Sequence, residues 1–258
     1  MSLQSEFAAI ARADDRGALV TVVGPEGSAA IGAKLLLRAD ETIEGSLGDP
    51  ELDDAATRIA AELIWAERSE LHEVAGAALF IDVAAPAPRL VVFGAVDYAA
   101  ALCRLARASG WRPFVSDPRA AFATEARFPE AERVIAGWPD RAFAELGGID
   151  RATYVAVLTH DPKLDDAALT IALRSDAAYV GAMGSRRAQE RRRLRLAEAG
   201  LSEAELDRLA APIGLDLGAT SPEETALSIM AEVVAVRNGR DGGRLSGSAG
   251  RIHEVGTP

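Results

Sequence analysis

The chain has 258 residues, 49% hydrophobic and 26% charged, which is ordinary for a globular protein and leaves room for one large domain or two small ones. Its formal charge of −11 excludes a general nucleic-acid binder, whose footprint is basic. No apolar run reaches the length of a membrane span and no signal-peptide pattern opens the chain, so a cytoplasmic protein independent of membranes is expected. The single cysteine, Cys103, excludes an internal disulfide and a cysteine-rich metal site, and no metal ligands are expected. It shares helical spacing with Ala99, Leu102 and Ala106, which predicts a small buried hydrophobe.

In chain order, residues 18–23 and 33–37 read as strands, 53–67 as a helix and 77–83 as another strand. Ala84-Ala85-Pro86-Ala87-Pro88 is a stiff spacer, because proline fixes its own φ and restricts the residue before it. It predicts a break between an amino-terminal α+β domain (1–86) and a second domain (89–238). Beyond the spacer the pattern is regular. Residues 89–93, 113–116, 133–135, 154–158 and 178–180 are strand-like, the last being the final strand, and 99–109, 141–146 and 165–174 are helical. Continuous apolar strands alternating with helices predict a Rossmann-like, doubly wound parallel sheet with its ligand site at the carboxyl ends of the strands. Three helices follow. The last opens on Ser221-Pro222-Glu223-Glu224, a capping box with proline at the first helical position, and should end near residue 237. Residues 239–258 are glycine-rich and polar, as in a flexible tail.

Four stretches carry the chemistry. In Tyr179-Val180-Gly181-Ala182-Met183-Gly184-Ser185-Arg186-Arg187, a buried strand runs through a glycine turn into an arginine-loaded helix. Gly181 and Gly184 allow close backbone approach, Ser185 is placed to cap the helix, and Arg186 and Arg187 add charge where the helix start already favours an anion. A basic solvated face is the competing reading of the same residues. Phe93-Gly94-Ala95-Val96-Asp97-Tyr98-Ala99 approaches the dinucleotide fingerprint at Gly94 and Ala99. Val96, however, replaces the glycine that admits a pyrophosphate, and Asp97 adds negative charge beside it, so NAD(P) is not the expected ligand. Asp117 stands where an acid would bind ribose, with Arg119 following.

Leu158-Thr159-His160-Asp161-Pro162-Lys163-Leu164-Asp165-Asp166 crowds Thr159, His160, Asp161, Lys163 and Asp165 at the end of a buried strand. Asp161 suits either orienting His160 or forming a turn with Pro162, and Asp165 or Asp166 suits capping the next helix. Finally, Ile213-Gly214-Leu215-Asp216-Leu217-Gly218 frames Asp216 with glycines.

These segments resemble the XdhC/CoxI family, accessory proteins of xanthine dehydrogenase and carbon monoxide dehydrogenase maturation. The resemblance is carried by Val115-Ser116-Asp117-Pro118-Arg119, Arg127-Phe128-Pro129-Glu130-Ala131, the 158–165 and 179–187 stretches, Ala211-Pro212-Ile213-Gly214-Leu215-Asp216-Leu217-Gly218, and Ser228-Ile229-Met230-Ala231-Glu232. It implies a chaperone for the molybdenum cofactor (molybdopterin), with a molybdenum hydroxylase as client, a cysteine desulfurase as the partner in sulfuration, and a homodimer as the assembly. The phosphate would meet residues 184–187 and the pterin or metal end residues 159–165. Residues 24–34 and 45–54 resemble degraded family motifs. The second normally carries two glycines and a cysteine and here reads Leu47-Gly48-Asp49-Pro50-Glu51, and Val96 stands where the family keeps glycine. Two other classes remain: an NAD(P)-dependent oxidoreductase, and an interaction or regulatory protein that kept the fold without the ligand.

Overall fold

The structure, a computed structural model, describes residues 2–24 and 29–247. The chain divides into two compact units, residues 1–86 and 87–244, with the segment from Leu245 grouped with the first. Among the described residues no helix is long and apolar enough to cross a membrane.

The first unit contains α1 (Leu3–Arg12), β1 (Gly17–Val22), β2 (Lys34–Arg38), β3 (Ile43–Ser46), α2 (Pro50–Ala66), β4 (Glu70–Val74) and β5 (Ala77–Ala84). The strands form an antiparallel sheet in the order β3-β2-β1-β5-β4. Alternation along β1 sends Ala18, Val20 and Val22 toward α2, where Ala56, Ala60, Leu63 and Ile64 receive them. Leu19 points the other way and packs with Ile10 of α1. The Leu47–Glu51 stretch begins α2: Asp49 is the N-cap, its carboxylate accepting from the Glu51 amide at 2.9 Å, and Pro50 opens the first turn. Helix α1 and strands β3 and β4 escape the sequence reading, because β3 and β4 are short and largely polar. Residues 25–28 of the 24–34 motif lie outside the described residues.

The second unit contains β6 (Arg89–Phe93), α3 (Asp97–Ala108), β7 (Arg112–Ser116), β8 (Arg133–Ile135), α4 (Pro139–Glu145), β9 (Thr153–Val157), α5 (Pro162–Leu173), β10 (Tyr179–Ala182), α6 (Arg186–Glu198), α7 (Glu203–Leu206), β11 (Leu209–Ala210) and α8 (Pro222–Arg237). All six strands run parallel in the order β11-β10-β9-β6-β7-β8, the Rossmann arrangement with its reversal between β6 and β9. Successive side chains of each strand feed opposite cores. Leu90, Val92, Tyr154 and Ala156 pack under α3 and α8, while Val91, Phe93, Val155 and Val157 pack under α4 and α5. Beyond the expected last strand the sheet gains β11, whose two residues are too few to show a period. Helix α5 starts three residues earlier than the spacing predicts, at Pro162, because Asp161 rather than Asp165 or Asp166 caps it. Helix α8 has the expected capping box and ends at Arg237. Of the expected tail, Leu245–Gly247 forms a short 3₁₀ turn, and residues 248–258 lie outside the described residues.

Two positions carry consequences. Gly94 sits at φ +112°, and a Cβ there would stand 3.0 Å from Thr159 Cγ2 and 3.2 Å from the Thr159 amide nitrogen. The close approach of β6 to β9 at the reversal therefore needs glycine. Gly94→Ala is expected to lose roughly 1–3 kcal/mol of stability in urea titration. Cys103 is 1% exposed in the α3 core, and burial pushes its thiol up to about 12. Alkylation of the native protein at pH 8 should be slower than in denaturant by about three orders of magnitude, and rapid stoichiometric labelling would contradict this burial.

Candidate functional site

At the end of β6 the turn through Gly94, Ala95 and Val96 is held from across the sheet. Asp117, fully buried after β7, accepts the Ala95 amide on Oδ2 at 2.9 Å. Arg119 closes over the same carboxylate, with Nε to Oδ1 at 2.9 Å, Nη2 to Oδ2 at 2.6 Å and its own amide to Oδ1 at 2.9 Å. Burial pulls this carboxyl upward, yet the Arg119 guanidinium and the Ala95 and Arg119 amides together hold it below the ordinary carboxylate value. Both oxygens are occupied by the chain itself, so Asp117 is not positioned as a free ribose acid. Asp97 opens α3, is mostly exposed, and meets Arg127 at 3.4 Å.

Two clefts lie at the strand ends. The first, about 660 Å³, sits at the reversal between β6 and β9, where α/β proteins place ligands. Val96, Asp97 and Tyr98 line one side, and Leu158, Thr159, His160, Asp161 and Leu164 the other. Pro118, Arg119 and Trp138 complete it, and Trp138, at the start of α4, keeps 47% of its surface exposed. The second cleft, about 340 Å³, lies between the start of α5 and the start of α6. His160, Pro162 and Asp165 face Met183, Gly184, Ala188, Arg191, Arg192 and Arg195 there. His160 lines both.

Thr159 and Asp165 tie the two together. The Thr159 hydroxyl donates to Asp165 Oδ1 at 2.8 Å and accepts from the Asp161 amide at 2.9 Å. Asp165 Oδ2 pairs with Arg192 Nη2 at 2.7 Å, with both side chains at most 5% exposed. Burial raises the Asp165 carboxyl, and Arg192 and Thr159 pull against that rise. Arg192 also donates to the Met183 carbonyl at 3.1 Å and to Gln189 Oε1. Arg195 grips Asp166 with two bonds, at 2.6 and 2.9 Å.

The residues expected from the sequence divide accordingly. Asp97, Arg119, Thr159, His160 and Asp161 line the first cleft, and His160, Asp165 and Gly184 the second. Ser185 caps α6 as expected, accepting the Ala188 amide at 3.3 Å. Arg186 and Arg187 are exposed and line neither cleft. The charged side chains at the second cleft are instead Arg191, Arg192 and Arg195, because helical side chains lean back over the preceding turn. Lys163 is exposed and meets Asp161 only through its amide, at 3.0 Å. Gly181 makes room for packing, since a Cβ there would stand 2.6 Å from Ile213 Cδ1. Asp216 is exposed in the loop between β11 and α8, away from both clefts' linings. That loop is held to α8 by the Gly214 amide on Glu232 Oε2 at 2.7 Å, an oxygen that also accepts the Tyr179 hydroxyl. Trp138 escapes the sequence reading, because a lone tryptophan before a proline carries no periodic signal.

Residues 90–233 match the XdhC Rossmann domain, and residues 10–75 match the XdhC and CoxI family. The chain belongs to the XdhC and CoxI family. It is similar to a protein of Bacillus subtilis named as a probable xanthine dehydrogenase component, 31% identical over 62% of this chain and 46% of that one. It is also similar to the molybdenum cofactor insertion chaperone PaoD of Escherichia coli, 31% identical over 59% of this chain and 41% of that one. The uncharacterized protein YqeB of Escherichia coli is 26% identical over 95% of this chain and 48% of its own. The chain thus spans about half the length of these curated relatives, or somewhat less. A crystal structure of a xanthine dehydrogenase from Bacillus halodurans shares the fold, with a TM-score of 0.54 at 20% identity, covering 96% of this chain and 98% of that one.

The Asp165–Arg192 pair gives a direct test of this architecture. Asp165→Ala leaves the buried Arg192 guanidinium without its carboxylate, and a loss of about 3–5 kcal/mol in urea titration is expected. A loss below about 1 kcal/mol would mean that the pair behaves as a surface ion pair.

Proposed function

We propose that the chain is an accessory protein in the maturation of a molybdenum hydroxylase, holding the molybdopterin form of the cofactor at the strand ends of its Rossmann domain before transfer to the client. The observation that carries this reading is the pair of clefts sharing His160. One offers the exposed ring of Trp138 and the side of Tyr98 to a planar heterocycle, and the other offers arginines to an anion. Family membership and the printed name of PaoD support the same role.

The residues fit such a group in kind. Trp138 would stack on the ring system, Thr159 and His160 would meet its polar edge, and the backbone turn at Gly184 would face its charged end. When bound, the cofactor supplies the metal and sulfur chemistry of the client, and this chain's residues bind, orient and shield it. Sulfuration would draw its sulfur from a cysteine desulfurase, since Cys103 is buried and the Leu47–Glu51 stretch is a capped helix start without a thiol. A dinucleotide oxidoreductase is disfavoured by one geometric fact: Asp117 is already bonded to Ala95 and Arg119.

Protein purified from cells that make the cofactor, denatured and oxidised, should release a fluorescent pterin. Trp138→Ala should lower its retention by roughly tenfold or more, because stacking on an aromatic face contributes about 1–3 kcal/mol. His160→Ala should reduce activation of the client. Calorimetry with NAD should show no micromolar binding, and micromolar NAD affinity in protein that releases no pterin would replace this reading with the oxidoreductase one.

A further inference from the structure

We infer that the cleft between α5 and α6 is a seat for the phosphate of a phosphate monoester, with the side chains of Arg191 and Arg192 as its ligands. The inference deepens the proposed function and rests on it only for the identity of the organic group, because the seat itself requires a tetrahedral oxyanion.

Four observations converge on this cleft. Arg192 is 4% exposed, yet its buried Nε has no hydrogen-bond partner. A buried donor left unpaired is costly, and in native proteins it commonly marks a place that a ligand or water completes. The rest of the guanidinium is fixed by Asp165, Met183 and Gln189, so Arg192 is a preorganised donor in the cleft wall. Arg191 lines the same cleft, is exposed, and has no ion-pair partner among the described residues.

The third observation is the start of α6, a helix of 13 residues. Ser185 occupies the amides of Ala188 and Gln189, which leaves those of Arg186 and Arg187 for an anion at the positive end of the helix. Gly184, at φ +139°, places no side chain over that end. Fourth, the acids of the wall are already neutralised, Asp165 by Arg192 and Asp166 by Arg195. An incoming anion therefore meets the uncompensated charge of Arg191. Donors arriving from two guanidinium groups and a helix start suit a tetrahedral dianion better than a planar carboxylate, which one arginine satisfies. His160 belongs to both clefts, so an ester group extending past it enters the larger one.

The test is calorimetric titration of the full chain with inorganic phosphate in low-chloride buffer, comparing Arg191→Gln, Arg192→Lys and Arg187→Gln, each checked by circular dichroism. Saturable one-to-one binding is expected, weakened about tenfold or more by Arg191→Gln, since a charge-assisted contact contributes about 1.5–3 kcal/mol. Arg192→Lys keeps the charge, loses Nε, and should weaken binding as well. Arg187→Gln should stay within about twofold, because only its amide is at the seat. Absence of saturable binding, or equal loss in all three variants as for an adventitious ion only, overturns the seat. If Arg192→Lys does not fold, the Arg191 and Arg187 pair decides. Phosphate bound by protein that retains no pterin supports the seat and removes the cofactor reading. Pterin retained unchanged by Arg191→Gln and undisplaced by phosphate overturns the seat and leaves that reading standing.

Discussion

The strand-end architecture depends on Thr159. Its methyl group sets the space that Gly94 must leave open, so it fixes how closely β6 and β9 approach at the reversal of the sheet. Its hydroxyl takes the Asp161 amide and holds Asp165, and Asp165 in turn holds Arg192. One side chain thus joins the turn after β6, the cap of α5 and the first turns of α6. The two clefts are the spaces on either side of this line of contacts, which is why His160, the next residue, lines both.

Charge pairing decides what each cleft offers. The protein is acidic overall, and most arginines of the Rossmann domain are bonded to carboxylates or carbonyls of the chain. Arg208, for example, binds the carbonyls of Leu173, Ser175 and Ala177. An arginine-rich segment therefore says little about where an anion can sit. What matters is which guanidinium groups keep unsatisfied donors once the fold has formed, and Arg191 and the buried Nε of Arg192 do so at a helix start.

The same test of which groups are already bonded separates this site from a dinucleotide site on the same sheet order. There the acid after the second strand is free for a ribose and the first turn is free for a pyrophosphate. Here that acid binds the turn itself, and a valine replaces the glycine beside it. Strand order alone is common to many chemistries, whereas the partners that Asp117 takes on its two oxygens are specific.

The Rossmann domain was legible in the sequence. Its strands are continuous apolar runs buried on both faces, so pattern and structure coincide at 89–93 and 133–135, and local caps such as Ser185 and Ser221 act within four residues of themselves. The amino-terminal sheet was only half legible, because β3 and β4 are short and polar and owe their existence to pairing with neighbouring strands. The general location of the site also followed from sequence, since strand ends, glycine turns and arginines recur there. Only the tertiary structure decided the roles. It turned Arg186 and Arg187 outward and brought Arg191 and Arg192 to the cleft, it made Asp165 a buried anchor rather than a cap, and it committed Asp117 to the β6 turn. Those outcomes depend on helical phase and on partners up to 27 residues away, and no local pattern encodes which donor will already be occupied when the chain has folded.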